Sequence, residues 1–108
     1  MPAAKFESGR SIAFGSISAN YANVGSATTH KARAVLISNG TQGDMWVSLD
    51  GGITDAFPVL AGSFVLWDIT SNMLAHGEEQ YFIEIGSQIA VKQITAPVDK
   101  SVYASVLY

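Results

Sequence analysis

Alternation is what most limits the folds open to this chain. Apolar and polar residues exchange every second position over most of its length, and turn-forming residues break the pattern at intervals of roughly 8–12 residues. Period two is the spacing of a strand with two different faces, and a helix cannot carry it. Residues 33–38 form a β-branched run ended by Asn39-Gly40, and residues 45–49 follow, ended by Asp50-Gly51-Gly52. Residues 57–60 are a short extended piece whose Pro58 suits a sheet edge or a strand start. Residues 63–69 give the strongest strand. Residues 80–85 and 88–94 flank Gly86-Ser87 as a tight hairpin, residues 101–108 give a last strand, and residues 11–17 a weaker one with Gly15 inside it. Only residues 71–76, closed by Gly77, have room for one helical turn. The expectation is an all-β protein, a single β-sandwich or jelly-roll-like barrel of about eight short antiparallel strands.

With 108 residues, the chain has room for one domain, expected over residues 10–108. Residues 1–9 lack any period and read as a flexible N-terminal arm, either frayed or ordered on a neighbouring subunit with Phe6 as its anchor. The absence of cysteine excludes disulfides and thiolate metal sites. Hydrophobic residues are 48% of the chain and charged residues only 14%, against roughly 25% in an average soluble domain. Such a chain folds rather than staying disordered. No apolar run approaches the ~18 residues of a membrane span. No apolar stretch follows Met1-Pro2-Ala3-Ala4-Lys5, so no secretion signal is expected. A net charge of −3 argues against nucleic acid as the main partner.

The charges are segregated. Between Arg33 and Lys92 there are seven acidic residues and no Lys or Arg, whereas the flanks hold all six basic residues. Either distant strands interleave and mix these charges, or the molecule has an acidic and a basic face suited to head-to-tail contacts.

Catalysis is poorly supplied. His30 and His76 lie in turn regions with no carboxylate at a known catalytic spacing, and no Gly-x-Ser-x-Gly elbow or metal-binding His pattern occurs. An enzyme would need a pocket where His30 or His76 meets a carboxylate. Asp50 and Asp55 bracket Gly51-Gly52, but a hard cation needs six or more oxygens, and Asp-Gly is foremost turn chemistry. No catalytic, cofactor-binding or metal-ligating residue is assigned.

The aromatics carry more information. Trp46 lies on the strand face opposite Met45, Val47 and Leu49; Trp67 shares a face with Val65 and Ile69. One of the two tryptophans is expected to leave the core, as a partner hot spot or as a platform for stacking a sugar ring. Val102, Ala104, Val106 and Tyr108 share one face of the last strand, Tyr103 and Leu107 the other. A strand apolar on both faces is central in the fold or covered by another subunit. The candidate interface residues are therefore Phe6, Trp46, Tyr103, Leu107 and Tyr108.

Three consecutive blocks carry a resemblance: Val35-Leu36-Ile37-Ser38-Asn39-Gly40, Trp46-Val47-Ser48-Leu49-Asp50-Gly51-Gly52, and Val59-Leu60-Ala61-Gly62-Ser63-Phe64-Val65-Leu66-Trp67-Asp68, with Asn72 beyond. A strand ending in Asn, one ending in Ser-x-Asp-Gly, and a glycine-led strand ending in Asp resemble the layout of small virion structural proteins of tailed bacteriophages. The similarity covers about residues 33–72. It implies a non-enzymatic protein made in the host cytoplasm and resident in the virion. Such a protein would be a capsid decoration (cement) or head–tail accessory protein that binds and stabilises a protein lattice in many copies. The implied partners are other copies of itself, as a homo-oligomer, and a major capsid, neck or tail protein, with no cofactor. A carbohydrate-binding module using Trp46 or Trp67 is the alternative.

Overall fold

The structure is a computed structural model and describes residues 5–68 and 85–108. Among these residues the protein is all-β, with one 3-10 turn at Phe14–Ser16 as its helical element. The strands are β1 (Arg10–Ala13), β2 (Ala22–Asn23), β3 (Ala34–Asn39), β4 (Met45–Ser48), β5 (Phe57–Val59), β6 (Phe64–Asp68), β7 (Ala90–Gln93) and β8 (Ser101–Leu107). They form two four-stranded sheets, ordered β1-β8-β3-β6 and β2-β7-β4-β5, and every pairing within the sheets is antiparallel. No helix among the described residues is long and apolar enough to cross a membrane.

The core is the space between the sheets. Val35, Ile37, Val102 and Val106 of the first sheet meet Met45, Val47, Val59 and Val91 of the second, all buried. β-Branched residues dominate because they fill a pleated surface with little rotamer freedom to lose. β8 lies centrally, between β1 and β3, as its two apolar faces require. β5 closes one side of the second sheet, and Pro58 sits in it opposite Trp46. A proline has no N–H to offer a further strand.

Most strand limits shift by one residue from the sequence reading, and three features differ by more. β1 ends at Ala13, opposite Ser101 where its partner β8 begins, and one further bond, from the Phe14 N–H to the Lys100 carbonyl at 3.0 Å, closes the ladder. The chain then turns through Phe14–Ser16, and Ile17 drops into the core. β2, a two-residue strand on β7, is too short to show any period in the sequence. The second arm of the expected hairpin shortens to Ala90–Gln93. Its first arm and the helical turn at 71–76 lie outside the described residues. Of the segment read as an arm, residues 5–9 run beside β8. Lys5 and Tyr108 exchange two backbone bonds of 3.0 and 2.7 Å, and Glu7 N–H donates to the Val106 carbonyl at 2.9 Å.

One buried polar network ties the two sheets. The Asn39 side chain, at the end of β3, donates to the Val59 carbonyl of β5 at 3.0 Å and to the Gly43 carbonyl at 2.8 Å. Its own carbonyl accepts from the Thr41 N–H and hydroxyl. The sequence suggested only a turn at Asn39-Gly40. Replacing Asn39 by Ala removes the side-chain donor to the Val59 carbonyl and the acceptor of the Thr41 N–H, at about 1–3 kcal/mol for each group that water cannot reach, while the Thr41 hydroxyl and the Gly43 carbonyl keep each other. Asn39→Ala should therefore unfold at clearly lower denaturant than wild type with an unchanged slope. An unaltered midpoint would show the brace to be dispensable.

Candidate functional site

The outward side chains of the first sheet form the most unusual surface of the molecule. Strand alternation puts Val35, Ile37 and Asn39 inside and Ala34, Leu36 and Ser38 outside. The register then fixes what stands beside them. Ser38 lies between Tyr103 and Phe64, Leu36 between Ser105 and Leu66, and Ala34 opposite Leu107, which a bridge joins to Phe6. Ser11 extends the first row beside Tyr103. Phe64 is 67% exposed, Leu66 59%, Tyr103 53% and Phe6 67%. No Lys, Arg or Glu occupies this side of β1, β8, β3 or β6 among the described side chains, and the β3–β6 register ends where Asp68 pairs with Ala34. Exposed apolar residues usually occur singly; a contiguous set on one sheet face marks a contact surface.

The structure thus brings together three of the five candidate interface residues: Phe6, Tyr103 and Leu107. Trp46 stands on the outer side of the other sheet, half-buried between Pro58 and Lys92. Tyr108 turns to the end of the sandwich. Sequence reasoning missed Leu36, Phe64 and Leu66, although the signal was present. The test applied to residues 101–108, apolar on both faces, is passed equally by residues 34–37 and 64–67. Trp67 is 40% exposed and meets Phe57 edge-on, centroids 6.2 Å apart.

At the end of the sandwich a polar cluster clasps the segment around Glu7 and the Tyr108 ring. Arg10 occupies an inward position of β1, opposite Ala104, so its guanidinium must be satisfied inside. It donates to Glu7 Oε1 at 2.6 Å and to the carbonyls of Ser26, Ala27 and Ser8. Gly25 makes this possible: it holds φ at +68°, and a Cβ there would come within 2.7 Å of the Arg10 Cγ. The Glu7 and Arg10 side chains are 4% and 6% exposed. Glu7 Oε2 also accepts from His30 Nδ1 and from the His30 N–H, each at 2.9 Å, and from the Thr29 N–H at 3.1 Å. The His30 ring stacks on Tyr108 with centroids 3.6 Å apart. Burial alone would raise the Glu7 carboxyl, but the hydrogen bonds from Arg10, His30 and Thr29 outweigh it and hold the pKa at about 2.

These groups line a cleft of about 480 Å³ with Phe6, Ser8, Ser11 and Ser26. A histidine does therefore meet a carboxylate in a pocket, which the sequence did not indicate. No described hydroxyl bonds to its Nε2, and the carboxylate is shared with Arg10 and three other donors, so the geometry is that of a clasp. His76 lies outside the described residues, as does Asn72.

The Asp50–Asp55 segment is a capped turn. Asp50 Oδ1 accepts from the N–H groups of Ile53 and Thr54 and from the Ser48 hydroxyl, while Gly51 and Gly52 take φ of +76° and +104°. These bonds lower the Asp50 pKa to about 2. Asp55 accepts from the Tyr21 hydroxyl and pairs with Lys92 Nζ at 3.3 Å, so an acid of the middle segment meets a base of the flank. No group of three or more His, Asp or Glu side chains placed to hold a metal occurs among the described residues.

No family model matches the chain, and no curated protein matches it.

The clasp makes a pH prediction. Glu7 titrates at about 2 when folded and near the ordinary 4.5 when unfolded. A depressed carboxylate contributes stability that is complete above about pH 4.5 and is lost as pH falls towards 2. Glu7→Gln should melt below wild type at neutral pH, because it leaves the buried Arg10 charge unpaired, at a cost on the order of 3 kcal/mol. The gap should close between pH 4.5 and 2. A gap independent of pH would show that the carboxylate charge is not what holds the clasp.

Proposed function

We propose that this chain is a non-enzymatic structural protein that binds and stabilises a protein lattice in many copies, with the outer face of the first sheet as its docking surface. The observation that carries this reading is that face. The exposed Phe6, Phe64, Leu66 and Tyr103 and the half-buried Leu36 and Leu107 lie side by side on four adjacent segments, almost free of charge. The other polar constellation, Glu7 with Arg10 and His30, is used to hold residues 5–9 beside β8, which supports a structural part rather than a catalytic one.

The resemblance over residues 33–72 supplies the setting: the virion of a tailed bacteriophage, with the chain as a capsid decoration or head–tail accessory protein. Its partners would be further copies and a capsid, neck or tail protein. Within the described part of that stretch, β3 and β6 contribute half of the strands of the open face. The carbohydrate-binding alternative draws less support. Trp67 packs in a T-shaped pair with Phe57 and Trp46 is half-buried, whereas a sugar platform needs an open ring face.

The test is density-gradient sedimentation of purified phage particles mixed with the labelled chain, alongside Leu66→Lys. Wild-type protein should travel with the particles, saturating at many copies each, and Leu66→Lys should stay at the top with an unchanged melting curve. Wild-type protein that stays at the top, while oligosaccharides quench its tryptophan fluorescence, would replace this reading with the sugar-binding one.

A further inference from the structure

We infer that the outer face of the first sheet is a self-recognition surface, occupied in solution by the same face of a second copy of this chain across a two-fold axis. The inference rests on the reading of that face as the docking surface, and it names the occupant.

Three observations select a second copy. The first is charge. In a two-fold contact a surface meets itself, so any charge near the axis meets its own sign. The central rows of this face carry none, although the chain has fifteen charged residues to place. A foreign partner would more usually be selected by complementary charge.

The second is the kind of polar group present. Ser38, Ser105 and Tyr103 offer hydroxyls, each of which both donates and accepts. A hydroxyl can pair with another of its own kind across an axis; an ammonium or a carboxylate cannot.

The third is relief and size. Along one row the side chains run Ser11, Tyr103, Ser38, Phe64, small alternating with large. Ser38 is a low point between two rings, at which two copies related by the axis can approach closely. The exposed parts of Phe6, Phe64, Leu66 and Tyr103 add up to an area on the order of 500 Å², somewhat below the roughly 800 Å² per partner of a standard stable interface. The contact should therefore be a reversible dimer that higher salt does not dissolve, since no exposed ion pair holds it.

The test is sedimentation equilibrium of the full chain and of Ser38→Glu and Ser38→Lys, with thermal melts of all three. Wild type should show a concentration-dependent monomer–dimer equilibrium that persists from about 0.15 to 1 M salt. Each variant alone should stay monomeric while melting like wild type, and their equimolar mixture should dimerise again, because Glu then faces Lys across the axis. Should Ser38→Glu melt low, Ser105→Glu and Ser105→Lys, one row away, make the same comparison. A monomeric wild type, variants that dimerise as wild type does, or a mixture that stays monomeric would overturn the inference. Particle binding by the same variants separates the two readings. A wild type that is monomeric, yet loses particle binding on Ser38→Glu, overturns the second copy as occupant while the docking face stands.

Discussion

The ladder between β3 and β8 is the constraint on which the rest depends. Six residue pairs, from Ala34–Leu107 to Asn39–Val102, join the two central strands of the first sheet. Both strands are apolar on both sides, so the register decides which set of side chains becomes core. As paired, Val35, Ile37, Val102, Ala104 and Val106 go inward and Leu36, Ser38, Tyr103 and Leu107 go outward. A slip by one residue would exchange the two sets. Asn39 and Arg10 resist such a slip, because each is an inward polar residue with a full set of partners in one register only.

These two polar anchors do different work. Asn39 reaches across the core to the Val59 carbonyl and holds the sheets together. The Glu7–Arg10–His30 cluster holds the segment at residues 5–9 against β8, with the Tyr108 ring laid on His30. The clasp also positions Phe6, which extends the open face beyond β1 to the side of Leu107. The acid-sensitive contact at the edge and the apolar surface are therefore linked through a single short segment.

The alternation of apolar and polar residues made the fold class legible, because a period of two leaves few other folds open. Turn residues marked most strand limits, and Pro58 marked a sheet edge. What alternation could not reveal was partnership across long sequence distances. Nothing local in Glu7 or His30 indicates that residues 23 apart share a carboxylate, nor does Gly25 announce that it leaves room for Arg10. Part of the open face was legible in Phe6, Tyr103 and Leu107. Leu36, Phe64 and Leu66 were not legible as surface residues, because a strand apolar on both faces does not reveal which face is open. Trp46 and Tyr108 looked like surface anchors for the same reason, and one is half-buried on the other sheet while the other belongs to the clasp.

The central claim is that a sheet face so apolar is open because another protein surface covers it when the chain is at work. Hydroxyl-radical footprinting of the chain, free at low concentration and then in its assembled form, reads this directly at side-chain level. The account predicts that Phe6, Phe64, Leu66 and Tyr103 lose reactivity on assembly, while Ile53 and Val98, exposed in loops elsewhere, keep theirs. Unchanged reactivity across the sheet face, with protection at Ile53 or Val98 instead, would contradict it.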